Sequence, residues 1–194
     1  MEIVLLLALN FGISWFNCWS VGGIWNESKA LGGFVRLLAW CGAVQSAIGF
    51  SSVGGFVAGY ALYATGHLPA RAATGAMSLW YLLVIVPLVG TGLIITIQSW
   101  IVAFRTRSLL DMGTAAYNTF AQIHNIAGAV DGIPSALDSV SKLFDSKDDD
   151  GGAVALLVLG LVCFALASGV VLTVVLIKRY SGRLPLPVRR PEAA

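Results

Sequence analysis

The sequence predicts an all-α integral membrane protein with four transmembrane helices and an amphipathic helical extramembrane insertion between the third and the fourth. Three observations carry this fold class. Hydrophobic residues make up 57% of the 194-residue chain and charged residues only 11%, against roughly 25% charged in ordinary soluble domains. Mean hydropathy is +0.82. The charges are gathered between four long charge-free runs, each matching or exceeding the ~20 residues a helix needs to cross the hydrocarbon core. So few charges cannot coat a surface that faces water, whereas a bilayer tolerates this composition provided the backbone is hydrogen-bonded internally.

The runs cover residues 3–25, 37–66, 72–104 and 151–177. They divide the chain into a three-span region (1–104), the insertion (105–150), a fourth helix (151–179) and a basic, proline-containing tail (180–194). Glu2 stands where a cleavable secretory signal carries positive charge, and no small-residue cleavage site follows before Trp25. The first run is therefore an uncleaved span. The second and third runs exceed the bilayer thickness, which predicts tilt or projection into the interface. Pro87, with Gly90 and Gly92 nearby, predicts a kink in the third span.

The connectors differ in kind. Residues 26–36 form a short polar link. His67-Leu68-Pro69-Ala70-Arg71 is a tight turn that makes the second and third spans an antiparallel hairpin. Trp25, Trp80, Tyr81 and Trp100 fall near the proposed span ends, where amphipathic rings favour the headgroup level. Trp15, Trp19 and Trp40 lie deeper and are expected to pack between helices.

Lys178, Arg179, Arg183, Arg189 and Arg190 follow the last run closely and favour a cytoplasmic C-terminus in a plasma or inner membrane. Four spans then put the N-terminus inside as well and residues 105–150 outside. Arg105 and Arg107, at the end of the third span, oppose that orientation.

Within the second span Ala43, Ala47, Ser51, Gly55 and Gly59 recur every four residues. Lipid supplies no hydrophobic drive between helices, so a face of small residues marks a seam of close helix approach. The partner helix is in the same chain or in a neighbouring copy. Ala165, Gly169 and Thr173 repeat the pattern more weakly in the fourth span.

Asn10, Ser14 and Asn17 share one face of the first span, and Gln45 and Gln98 place amides in the second and third. An amide facing lipid is costly, so these groups line a polar pathway or join helices by hydrogen bonds.

In the insertion Leu109, Met112, Ala116, Phe120, Ile123, Ala127 and Val130 recur at spacings of three and four, an apolar stripe on an amphipathic helix. Asn118, Gln122 and Asn125 fall on the other side. Asp131-Gly132 is expected to break this helix, with Pro134 opening a second short one that carries Leu137, Val140 and Phe144. The stripe lacks the basic flank of a helix lying on anionic lipid, which favours helix–helix contact and self-assembly.

Asp145, Asp148, Asp149 and Asp150 precede Gly151. Their spacing is not the alternating one of an EF-hand loop, so an acidic linker is expected and no metal site. Cys18, Cys41 and Cys163 lie alone inside apolar runs and read as packing residues. His67 and His124 sit in different connectors, and no phosphate loop, zinc motif or nucleophile elbow appears. No enzyme chemistry, cofactor or nucleic-acid partner is expected.

The expected partners are the lipid bilayer and further copies of the chain, with a protein partner docking through the insertion or the basic tail as a further possibility. The functional expectation is a homo-oligomeric pore or ring-like membrane assembly. The alternative is a non-catalytic accessory subunit of a larger membrane complex, such as secretion, conjugation or defence machinery.

Overall fold

The computed structural model describes residues 2–144 and 151–181. The chain forms α1 (Glu2–Trp25), a single turn α2 (Ser28–Leu31), α3 (Gly33–Ala64), α4 (Ala70–Thr106), α5 (Leu109–Phe144) and α6 (Gly151–Tyr180). Four helices, α1, α3, α4 and α6, are long and apolar enough to cross a membrane, and they coincide with the four charge-free runs. The acidic residues Asp145, Asp148, Asp149 and Asp150, and the tail residues Arg183, Arg189 and Arg190, lie outside the described residues.

Local chemistry sets the turns. At the end of α3 the Gly66 N–H donates to the Tyr63 carbonyl and the His67 N–H to the Leu62 carbonyl. This is a Schellman cap, and it needs a left-handed residue that glycine supplies without strain; Gly66 has φ 75°. Pro69 follows in an extended conformation, and its carbonyl accepts from Ala72 and Ala73 as α4 begins. The α4–α5 turn is tighter. Arg107 adopts φ 52°, and the Thr106 hydroxyl donates to Asp111 at 2.6 Å.

Helix directions follow from the contacts. Asn10 meets Ser52 across α1 and α3, while Trp25 meets Trp40, so these helices are antiparallel. On α3, Gly59 faces Leu161, Gly55 faces Ala165 and Ser51 faces Gly169, so α6 also runs antiparallel to α3. Gly22 lies against Ile177 and Tyr180, so α1 and α6 run the same way. On α4, Trp100 meets Thr119, Tyr81 meets Gly128 and Gly75 meets Leu143, so α5 returns antiparallel along the length of α4.

Two buried clusters result. Cys18, Val21, Ala39, Ala43, Phe50, Leu176 and Ile177 fill the junction of α1, α3 and α6. Leu68, Ala72, Ala76, Leu143, Val158 and Val162 fill that of α4, α5 and α6. Large apolar side chains such as Leu5, Val86 and Val171 point outward, as expected where lipid replaces water. Trp15, Trp19 and Trp40 are partly exposed; Trp15 meets Tyr180 of α6 and Trp40 meets Trp25 of α1 at the edges of helix contacts, while the closest contacts of α1 and α3 fall to smaller residues such as Ser14 and Gly49.

One expectation for α5 is corrected. The helix does not break at Asp131-Gly132 but continues to Phe144 with Pro134 inside it. A proline in a helix interior costs about 3 kcal/mol or more, and packing on both sides of it offsets this. Before it, the Tyr81 ring covers Gly132 and the Tyr81 hydroxyl donates to the Gly128 carbonyl at 2.7 Å. After it, Ala136 and Leu143 are buried.

The apolar stripe faces away from the other helices of the chain. Leu109, Phe120, Ile123 and Val130 point outward, while Ala115, Gln122, Ala136 and Leu143 are buried. Close approach of two helices selects small and hydrogen-bonding residues over bulky apolar ones when the surroundings are themselves apolar.

Candidate functional site

The polar residues singled out in the sequence occupy separate helix seams. Asn10 Nδ2 donates to Ser52 Oγ at 2.6 Å. Ser14 is buried over Gly49, where an added β-carbon would overlap its hydroxyl. Both belong to the α1–α3 seam. Gln45 Nε2 reaches Thr91 Oγ1 across α3 and α4 at 3.4 Å. Gln98 Oε1 is buried on α4 and has no partner among the described residues. Asn17 is half-buried. These five side chains do not converge on one lumen within the chain.

The small-residue seam finds its partner in the same chain. Gly55 packs on Ala165, and Gly169 is so close to the Ala47 carbonyl and the Ser51 N–H that a β-carbon there would collide with backbone. Ala43 joins the buried cluster with Leu176 and Ile177. The weaker small-residue pattern of α6 is thus the counterpart of the stronger one on α3.

The most distinctive surface belongs to α5, which has three longitudinal faces. The first packs on α4: Gln122 Nε2 donates to the Val89 carbonyl at 2.9 Å, Thr96 donates to the Asn118 carbonyl at 3.3 Å, and Trp100 Nε1 donates to Thr119 at 2.9 Å. The second is the apolar flank of Met112, Ala116, Phe120, Ile123 and Val130, exposed throughout. The third is a set of polar positions that borders the apolar flank, with His124 one turn from Phe120. It carries Thr114, Tyr117, His124 and Asp131, all exposed, with Asn125 half-buried beside them. These positions are spaced by 3, 7, 1 and 6 residues, with Ala121 and Gly128 between them on the same side of the helix.

The spacing placed Gln122 on the side away from the apolar stripe and gave no contact with Gly92. The signal was present in the spacing of Asn118, Gln122 and Asn125, which share a face. What was lacking was the knowledge that α4 lies alongside.

A half-open cleft of about 580 Å³ adds a second feature, with Gly55 and Gly59 on its floor and Phe56, Tyr60, Tyr63 and Trp80 among its walls. Trp80 Nε1 donates to Ser51 Oγ at 3.1 Å within it. The lining is almost wholly apolar, so it suits hydrocarbon and offers no acid–base pair. Among the described residues no three His, Cys, Asp or Glu side chains gather as a metal-binding group. No protein-family model, curated protein or solved structure matches the chain.

Proposed function

We propose that the chain is the subunit of a homo-oligomeric membrane assembly that encloses a polar path bordered by α5. The observation that carries this reading is the set of polar side chains on α5, Thr114, Tyr117 and His124 exposed and Asn125 half-buried, on a helix packed along the apolar core of α4. Amides and an imidazole facing hydrocarbon are unfavourable. They are relieved by water or by another polar surface, and a single chain type achieves this most simply in a closed ring. Asn10 and Gln45 are engaged within the chain, with Ser52 and Thr91, and Ser14 is buried over Gly49. The reading assigns the lining to α5 rather than to Asn10 and Ser14.

Hydroxyl, amide and imidazole groups hydrogen-bond water and hydrated ions without holding them tightly. This suits a passive path, and no Asp, Glu, Lys or Arg lies between Asp111 and Asp131 to couple transport to an ion. The test is the native mass of the purified protein with bound detergent accounted for, followed by ion flux into liposomes. A single closed homo-oligomer whose flux falls on Asn125→Leu and Thr114→Val, with assembly intact, supports the reading. A monomer, or a particle carrying other polypeptides, overturns it in favour of an accessory subunit.

A further inference from the structure

We propose that α5 is a fifth membrane crossing, so that Glu2 and Tyr180 lie on opposite sides of the bilayer, with the Tyr180 end cytoplasmic. This does not rest on the oligomeric reading, since a monomer with the same topology satisfies it.

The first argument is geometric. The α4–α5 contacts run in register from Thr106–Asp111 at one end, through Trp100–Thr119, Val89–Gln122 and Tyr81–Gly128, to Gly75–Leu143 at the other. Helix α6 then starts beside the beginning of α4, where Ala72 and Ala76 share a cluster with Val158 and Val162. It ends beside Gly22, close to the end of α1. The chain must therefore return across the full thickness that α4 traverses, and α5 makes that return while packed on the apolar segment of α4.

The second argument is length. Asp111 and Asp131 bracket a stretch from Met112 to Val130 with no Asp, Glu, Lys or Arg. Nineteen helical residues rise roughly 28 Å at 1.5 Å each, close to the ~30 Å hydrocarbon core. Hydropathy alone passes over this stretch because Asn118, Gln122, His124 and Asn125 lower its average. The packing pairs the Gln122 amide nitrogen with the Val89 carbonyl of α4.

The third argument is charge. With four crossings, Arg105 and Arg107 face away from Lys178 and Arg179, against the positive-inside tendency. A fifth crossing removes the conflict. Among the described residues Lys29, Arg36, Arg105, Arg107, Lys178 and Arg179 then share one end with Glu27 and Asp111. The opposite end carries Arg71 and Lys142 together with Glu2, Asp131 and Asp138. The cationic end is the cytoplasmic one.

The experiment uses the full chain in intact cells, a membrane-impermeant maleimide, and single cysteines introduced at exposed or half-buried positions. The wild type supplies the background from Cys18, Cys41 and Cys163. Ser141→Cys and His67→Cys are expected to label in intact cells. Ser108→Cys and Ser181→Cys are expected to label only after permeabilisation, and Phe120→Cys to remain at background in both. Ser108→Cys and Ser141→Cys labelling from the same side would overturn the fifth crossing, as would full labelling of Phe120→Cys. Opposite sides with the pattern reversed would overturn the cytoplasmic assignment. None of these outcomes depends on native mass or flux, so failure here is distinguishable from failure of the pore reading.

Discussion

Gln122 of α5 lies directly over Gly92 of α4, and its amide nitrogen reaches the Val89 carbonyl three residues earlier at 2.9 Å. A β-carbon at position 92 would overlap the Gln122 side-chain amide. The absence of a side chain on one helix is what admits the amide of the other, so the two residues act as one packing unit.

Gly92→Ala is therefore expected to destabilise the protein by about 1–3 kcal/mol, the usual cost of overpacking a close contact. Shortening the partner should recover part of that loss, because the two sites share one contact. Comparison of unfolding midpoints in mixed micelles for Gly92→Ala, Gln122→Ala and the double variant measures this. Strict additivity would separate the two residues energetically.

On the α3–α6 seam the prediction distinguishes two glycines of the same helix. Gly169 faces the backbone of Ala47 and Ser51, whereas a β-carbon at Gly160 meets nothing within 4 Å. Gly169→Ala should cost about 1–3 kcal/mol, since backbone cannot move aside as a side chain can. Gly160→Ala should be neutral or should stabilise by up to ~1 kcal/mol through helix propensity. Equal effects in the same unfolding assay would argue against the seam.

Pro134 leads to a third expectation, of opposite sign. Its surroundings hold a continuous helix in which the Val130 carbonyl lacks the N–H that any other residue would provide. Pro134→Ala should raise stability by about 1–3 kcal/mol and leave helix content unchanged. A fall in stability, or a change in the far-UV spectrum, would mean that the proline shapes the helix rather than merely being tolerated in it.

The last prediction separates structure from transport. Asn10→Leu removes the bond to Ser52 and should cost roughly 0.6–2 kcal/mol, the range for interhelical hydrogen bonds in membranes. Per-subunit flux of the assembled protein should not change, because Asn10 is engaged between α1 and α3. A change in flux at constant assembly would return Asn10 to the polar path.

Residue spacing alone was enough to bound α1, α3, α4 and α6, because the cost of burying charge in hydrocarbon forbids Asp, Glu, Lys and Arg over the length of a span. It also located the turn at residues 67–71 and the small-residue faces of α3 and α6, since those depend on local backbone chemistry and side-chain volume. It could not say which helix each face would meet. Ala47, Ser51 and Gly55 carry no label for Gly169 and Ala165; only the antiparallel alignment of α3 with α6 pairs them.

The largest difference concerns α5. From sequence, Gln122 and Asn118 look like a wet face and Phe120 and Val130 like a buried one. The fold places Gln122 against α4 and turns the apolar residues outward. The rule that buries apolar residues assumes water outside, and α5 packs along an α4 long and apolar enough to cross a membrane. Hydrogen bonding and close approach then decide which face turns inward, and both depend on a neighbour that only the tertiary structure supplies.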